Sequence, residues 1–298
     1  MEQSNVRGRI TDIQRFSLHD GHGIRTTVFL AGCNLRCAWC HNPETIRQKN
    51  TPLFYAAKCI GCGACYTACP TGARTDFDDA RCTGCGACAA ACWPEAIRMS
   101  WREMTVSEVM NEIRQDALYY RRSGGGVTLS GGEALCQLSF AAALTGACRA
   151  EGIPVAVETN LHHDFDAIRP LLLQMECVMA DIKLMDPLHH RQYTGADNTV
   201  ILENARHLSE LGVPVLFRTP LIPGVTDTRE NLTAIAAFLA ALPGRPAWEL
   251  LNFNPLGGDK YTAVRAENPF ADARPLEADR LDEIRAWLRG AGVTPRIR

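Results

Sequence analysis

Little in this sequence is lopsided. Lys and Arg total 31 against 33 Asp and Glu in 298 residues, a formal net charge of −2. That balance leaves no polybasic footprint for a nucleic acid or an anionic lipid surface. No apolar run approaches the ~18–20 residues of a membrane span. Met1 to Arg9 lacks the apolar stretch of a signal peptide, so a cytoplasmic protein with neither membrane nor nucleic acid as partner is expected. Disorder is excluded too, because 46% of the residues are hydrophobic and regularly spread. A chain of this length buries a full core without staples, as one large domain or one domain carrying an insert.

What is abundant is cysteine, with 14 residues. Without an export signal, disulfides explain them poorly, and metal ligation or redox chemistry is the better expectation. Cys59, Cys62, Cys65 and Cys69 repeat the spacing of Cys82, Cys85, Cys88 and Cys92, C-x2-C-x2-C-x3-C in both. This is the ligand run of two-cluster bacterial ferredoxins, in which the fourth cysteine serves the other cluster. Cys59, Cys62, Cys65 and Cys92 are therefore assigned to one 4Fe-4S cluster, and Cys82, Cys85, Cys88 and Cys69 to a second. A pair of zinc sites is the competing reading, and the doubled four-cysteine run disfavours it. Cys33, Cys37 and Cys40 differ, since C-x3-C-x2-C has no fourth cysteine nearby. A cubane held by three thiolates keeps one iron open for a substrate or cofactor. Cys136, Cys148 and Cys177 stand alone and are expected to be buried small hydrophobes. His162-His163 and His189-His190 lie in polar, loop-like sequence and are given no role.

Residues 51–100 interrupt a pattern that otherwise alternates strand and helix. A helix is expected over Thr105–Arg121, with Thr105 and Glu108 forming a capping box. Strands follow at Val127–Leu129, Pro154–Val157, Cys177–Ala180, Val215–Phe217 and Trp248–Leu251. Helices are expected over Gln137–Arg149, Asp164–Gln174 and Ile201–Leu211, then after a cap at Asp227, and over Leu276–Leu288. Alternation of this kind means a parallel sheet, and six or so units make an open, partial (β/α)6 barrel. The domains are then 1–50 with 101–298 for the barrel, and 51–100 for a ferredoxin-like insert. Functional groups belong at the C-terminal strand ends. Cys33, Ser130-Gly-Gly-Glu133, Glu158-Thr-Asn160, Asp181-Ile-Lys183, Arg218 and Asn252–Asn254 all fall there.

The cysteine loop, preceded by the Thr26–Leu30 strand, resembles the radical S-adenosylmethionine (SAM) superfamily. The lead-in from Ile13 through Asp20-Gly21-His22-Gly23 to Leu30, with the Gly-Gly-Glu and Asp-x-Lys motifs, closely resembles activating enzymes of glycyl radical enzymes. The ferredoxin-like insert places it with the subgroup that serves lyases, dehydratases and decarboxylases. The resemblance implies anaerobic chemistry. By that resemblance SAM would chelate the open iron of the Cys33/Cys37/Cys40 cluster, one electron would split it into methionine and a 5′-deoxyadenosyl radical, and that radical would take hydrogen from a glycine of the partner enzyme. It implies three 4Fe-4S clusters and a flavodoxin or ferredoxin as reductant. It also implies SAM contacts at Trp39, Cys40, His41, Gly131, Gly132, Glu133, Asp181, Ile182, Lys183, Arg218 and Asn254. Met179, Asp181, Glu158 and Thr159 match a group that holds a monovalent cation in one relative, and Asp20 is cast as a clamp for the partner's glycine loop. His22 stands where the family usually has Pro, and Asn254 where relatives often have His.

Simpler readings stand beside these. Ser130–Glu133 serves equally as a strand-end turn, Asp181 and Lys183 as a surface ion pair, Trp39 as a core aromatic, and Asp20 as a turn cap before Thr26. Two other functions compete: a radical SAM enzyme modifying another peptide, and an electron-transfer iron–sulfur protein. The first usually carries its extra cysteines beyond the barrel, and here none follows Cys177. The second leaves ~200 residues of βα units idle.

Overall fold

The computed structural model describes residues 3–47, 49–289 and 294–298. Among these the strands are β1 (Arg7–Ser17), β2 (Arg25–Leu30), β3 (Pro52–Phe54), β4 (Ile97–Met99), β5 (Arg102–Thr105), β6 (Gly126–Gly131), β7 (Val155–Thr159), β8 (Cys177–Asp181), β9 (Val215–Leu221), β10 (Ala247–Asn252) and β11 (Arg296–Ile297). Nine of them form one sheet in the order β11-β10-β9-β8-β7-β6-β2-β1-β5, and β3 with β4 forms a separate pair. From β2 to β11 every neighbour is parallel. At the other edge β1 runs antiparallel to both β2 and β5. Six long parallel strands match the expected count, while the edge strands lie outside it.

The strand order follows the chain, so each right-handed crossover lays its helix on the same face. That face is apolar. Val28, Leu30, Val127, Leu129, Val157, Val178 and Phe217 pack there against Ile168, Leu208, Leu232 and Ile235 from the covering helices. Alternate residues point to the opposite face, where the polar side chains of Arg25, Thr27, Thr128, Glu158, Arg218 and Glu249 gather. The sheet curls around them. On a flat sheet β2 and β11 stand six steps, ~29 Å, apart. Yet the loop between β1 and β2 reaches both. Asp20 Oδ2 accepts from Thr27 Oγ1 (2.7 Å), and the adjacent His19 carbonyl accepts from Arg298 Nη1 (2.9 Å).

Four local expectations are corrected. The helix after Thr105 has its capping box, with Thr105 Oγ1 accepting from Glu108 N (3.2 Å) and Glu108 Oε2 from Thr105 N (2.7 Å). It breaks, however, into Val106–Arg114 and Ala117–Ser123. Fully buried Asp116 is drawn inward there, accepting from Arg15 and from Thr26 Oγ1 (2.8 Å), with Tyr120 closing the network on Thr26. The cap of Arg229–Ala240 is Thr228 rather than Asp227, whose carboxylate accepts from Gly224 N (2.7 Å). His189 and His190 sit in a helix, Pro187–Thr194. His190 is buried against Thr194 and the Ala196 carbonyl, and burial lowers its pKa. Cys136 is exposed, because the single turn Ala134–Gln137 turns Ala134 and Leu135 to the core instead.

Residues 50–101 fold as a small unit. β3 pairs with β4 in register Pro52↔Met99, closing a segment with two four-residue helices, Ala64–Thr67 and Ala87–Ala90. The repeat in sequence is a repeat in structure. Gly63 (φ 72°) and Gly86 (φ 78°) start the two helices in the left-handed conformation that glycine adopts without strain. The unit is tied to the barrel side by Asp79, which pairs with Arg47 (3.0 Å) and Arg265 (2.5 Å), and by Leu53 against Ala263 and Val264.

Candidate active site

The C-terminal strand ends surround a cavity of about 250 Å³. Its walls take Cys33, Cys37 and Cys40 from the loop after β2, Ser130 to Glu133 from β6, Glu158 to Asn160 from β7, and Asp181 and Lys183 from β8. Leu35, Trp39, His41, Asn42, Pro220, Ile222, Leu251, Asn252 and Phe253 complete it. Backbone contact makes the rim tight. Gly132 N donates to the Leu30 carbonyl (3.0 Å), and Glu133 N to that of Gly32 (2.7 Å). A Cβ on Gly132 would stand 2.3 Å from the Gly32 oxygen, so the Gly-Gly-Glu turn abuts the cysteine loop only as glycine.

Burial pushes the Cys33 and Cys40 thiols up to about 12, and that of Cys37 upward as well. Thiolates here need compensating cations and donors. Asn42 N points at Cys40 Sγ (3.4 Å), and Asn160 Nδ2 lies 4.0 Å from Cys33 Sγ. Lys183 supplies the charge. Burial alone would depress its ammonium, but Asp181, its ion-pair partner, with Cys37 and Cys33, raises it. Glu133, 1% exposed, is fixed from three sides by Thr159 Oγ1 (2.9 Å), Asn160 N (2.7 Å) and Leu135 N (3.2 Å).

Three residues expected at the site, Arg218, Ile182 and Asn254, do not line this wall. The Arg218 guanidinium is outside the cavity wall, donating to Glu158 Oε1 (2.5 Å), Glu249 Oε2 (3.1 Å) and the His19 carbonyl (3.1 Å). β9 runs on to Leu221 and brings Pro220 to the rim in its place. Ile182 turns its side chain to the core and is 1% exposed. Asn254 caps Leu256 N (2.9 Å) and takes no part in the wall. Trp39, 6% exposed, is both core and wall, packed near Tyr193 and Phe270. Glu158 and Asp181 are engaged by Arg218, Ser130 and Lys183, and Thr159 by Glu133. Burial pushes the Glu158 carboxyl up against the pull of Arg218, with Asp20 and Asp181 adding to the rise. Sequence reasoning put Asn160 at a strand end without a contact of its own, and gave no role to His163, which stands 3.3 Å from Glu133. Neither sits in a spacing pattern.

In the 50–101 unit, Cys59, Cys62, Cys65 and Cys92 line one cavity of about 110 Å³. Cys69, Cys82 and Cys88 line another, with Cys85 exposed nearby in sequence. Among the described residues no three such donors converge closely enough for a single ion. A multi-iron cluster holds its thiolates farther apart.

The model of the radical SAM superfamily matches residues 27–234. Over 86% of this chain and 85% of the relative, it is 42% identical to the (2S)-3-sulfopropanediol dehydratase activating enzyme of Klebsiella oxytoca. It is 36% identical to the indoleacetate decarboxylase activating enzyme of Tractidigestivibacter scatoligenes, over 98% of both chains. The benzylsuccinate synthase activating enzyme of Thauera aromatica is 40% identical over 85% of this chain and 80% of its own. A crystallised domain of the pyruvate-formate lyase-activating enzyme from Bacteroides vulgatus superposes with TM-score 0.50 at 28% identity, covering 59% of this chain and 99% of that one. A radical SAM methyltransferase from Sphaerobacter thermophilus shares the fold at TM-score 0.57 and 16% identity, over 97% of this chain and 76% of its own. The chain belongs to the radical SAM superfamily and, within it, to the activating enzymes of glycyl radical enzymes.

Proposed function

We propose that Cys33, Cys37 and Cys40 hold a 4Fe-4S cluster with one open iron, and that the adjoining cavity seats SAM against it. The observation behind this reading is that three thiols, the Gly131-Gly132-Glu133 turn and the Asp181–Lys183 pair wall one cavity at the strand ends. Three soft thiolates without a fourth suit an iron–sulfur cluster with an open site. Such a cluster, when bound, would supply the one electron that splits SAM into methionine and a 5′-deoxyadenosyl radical able to take hydrogen from a partner's glycine. The protein's own part is electrostatic and steric. Lys183 offsets thiolate charge, preorganised Glu133 offers a carboxylate edge for an ammonium, and Trp39 with Phe253 excludes water. Arg218 acts one layer down, orienting Glu158.

The 51–100 segment is read as a ferredoxin-like insert with two further clusters, on the doubled cysteine run and the two cysteine-lined cavities. The reductant is then a flavodoxin or ferredoxin, and the setting an anaerobic cytoplasm. Among the described residues no helix is long and apolar enough to cross a membrane. The partner is a glycyl radical enzyme of the lyase, dehydratase or decarboxylase type. Iron content tests the ligand assignment. Anaerobically reconstituted protein should hold about 12 irons, from three clusters of four. Cys33, Cys37 and Cys40 changed together to Ala should leave about 8 and abolish SAM cleavage; retained cleavage, or loss of all iron, would contradict it.

A further inference from the structure

Between the two cysteine-lined cavities of the insert lies a buried cation with no acid of its own. Arg74 is 3% exposed and forms part of the wall of both cavities. Its Nε and Nη1 are buried and meet no hydrogen-bond acceptor. The Phe77 ring lies 3.6 Å from the guanidinium carbon, and Phe54 lies 4.8 Å away. Stacking occupies the faces of a guanidinium, while its N–H groups project from the edge and still need acceptors. The neighbouring carboxylates are taken: Asp79 by Arg47 and Arg265, Asp76 and Asp78 by Arg81. A buried charge with idle donors is costly unless an anion meets it.

We propose that Arg74 is the shared counter-cation of the two insert clusters, its N–H groups donating to cluster sulfur or ligating thiolate and its charge raising both reduction potentials. The inference rests on the reading that residues 51–100 hold two clusters. A cluster gains negative charge on reduction, so a fixed buried cation stabilises the reduced state more than the oxidised one. Net charge and hydrogen bonds to sulfur are the means by which proteins set such potentials. One cation in the wall of both cavities lifts the two potentials together, which keeps electron exchange between the clusters close to level.

Redox titration of the reconstituted holoenzyme, followed by EPR with dithionite or photoreduced deazaflavin, tests this. Signals unaffected by added SAM report the insert. Iron and sulfide are measured on the same samples of wild type, Arg74→Lys, Arg74→Gln and Arg74→Met. The expected result is that Gln and Met lower both insert potentials. At a fixed applied potential the oxidised-to-reduced ratio should rise about tenfold, equivalent to about 59 mV for one electron. Lys, which keeps the charge and loses the planar fork, should fall between. Unchanged potentials in Gln and Met at full iron content would overturn the proposal. So would a Lys variant shifted as far as Met, or loss of the insert iron from all three variants, Lys included, which would mark Arg74 as packing alone. Wild-type protein holding about 4 irons in place of about 12 would instead remove the two-cluster reading itself.

Discussion

At the scale of single residues the polar inner face of the sheet decides what the cavity can do. Asp20 shows how closely positioning and catalysis adjoin. Its Oδ2 accepts from Thr27 and its carbonyl from Thr128 Oγ1 (2.5 Å), so the residue does serve a turn. It also lies close enough to Glu158 to disturb that carboxyl. A turn cap is indifferent to Asp20→Asn, because the amide oxygen still accepts from Thr27. A clamp on the peptide N–H groups of a partner's glycine loop is weakened by the lost charge. The clamp reading predicts that Asp20→Asn lowers partner radical yield about tenfold, with iron content, SAM affinity and uncoupled SAM cleavage intact. Spin counts and 5′-deoxyadenosine measured together check this; both unchanged, or both falling in step, contradict it.

At the scale of elements, the network around Asp116 joins β1, β2 and the two helices before β6. Burial pushes its carboxyl up, but Arg15 and Thr26 outweigh that and leave it below the ordinary value. Removing one partner of a fully buried pair costs ~3–5 kcal/mol. The Arg15 side chain is 37% exposed, so Asp116→Ala should cost about 2 kcal/mol in urea unfolding. With its folded pKa depressed, Asp116 adds stability that is present above the unfolded value of ~3.9 and is lost as pH falls through the folded one. The wild-type-to-variant gap should therefore narrow below about pH 4. A gap constant with pH would deny the charge a role. The same network marks where the sequence stopped being legible. Strands β6 to β10 were readable from short apolar, largely β-branched or aliphatic runs, and their polar ends from the residues that follow. The helix break was not, because the 3.6-residue stripe runs straight through Asp116 and only Arg15, about a hundred residues earlier, pulls it inward. Helix Pro187–Thr194 was missed for its two histidines, one of which is core. The grouping of the cysteines around their cavities was legible because spacing alone encodes it. Arg74 was not, since nothing local marks an arginine for burial.

At the scale of the whole molecule, helix Gly258–Val264 and the Arg47–Asp79–Arg265 contact fasten the insert beside the cysteine loop. On the proposed two-cluster reading, the insert would deliver electrons to the cysteine loop. Replacing Cys59 and Cys82 by Ala should therefore lower radical yield several-fold with a protein reductant, while SAM affinity by calorimetry stays within about twofold. An unchanged yield with every reductant tried would leave the insert without a redox role. The central claim is that the cavity on the barrel rim generates a radical and passes it to a glycine on another protein. The direct measurement is the EPR spectrum of candidate glycyl radical enzymes of the dehydratase, sulfite-lyase and decarboxylase classes, each mixed anaerobically with this protein, SAM and dithionite. A glycyl doublet in one of them, absent when its target glycine is changed to Ala and matched by 5′-deoxyadenosine, is the predicted result. Formation of 5′-deoxyadenosine with no doublet in any candidate would contradict the account.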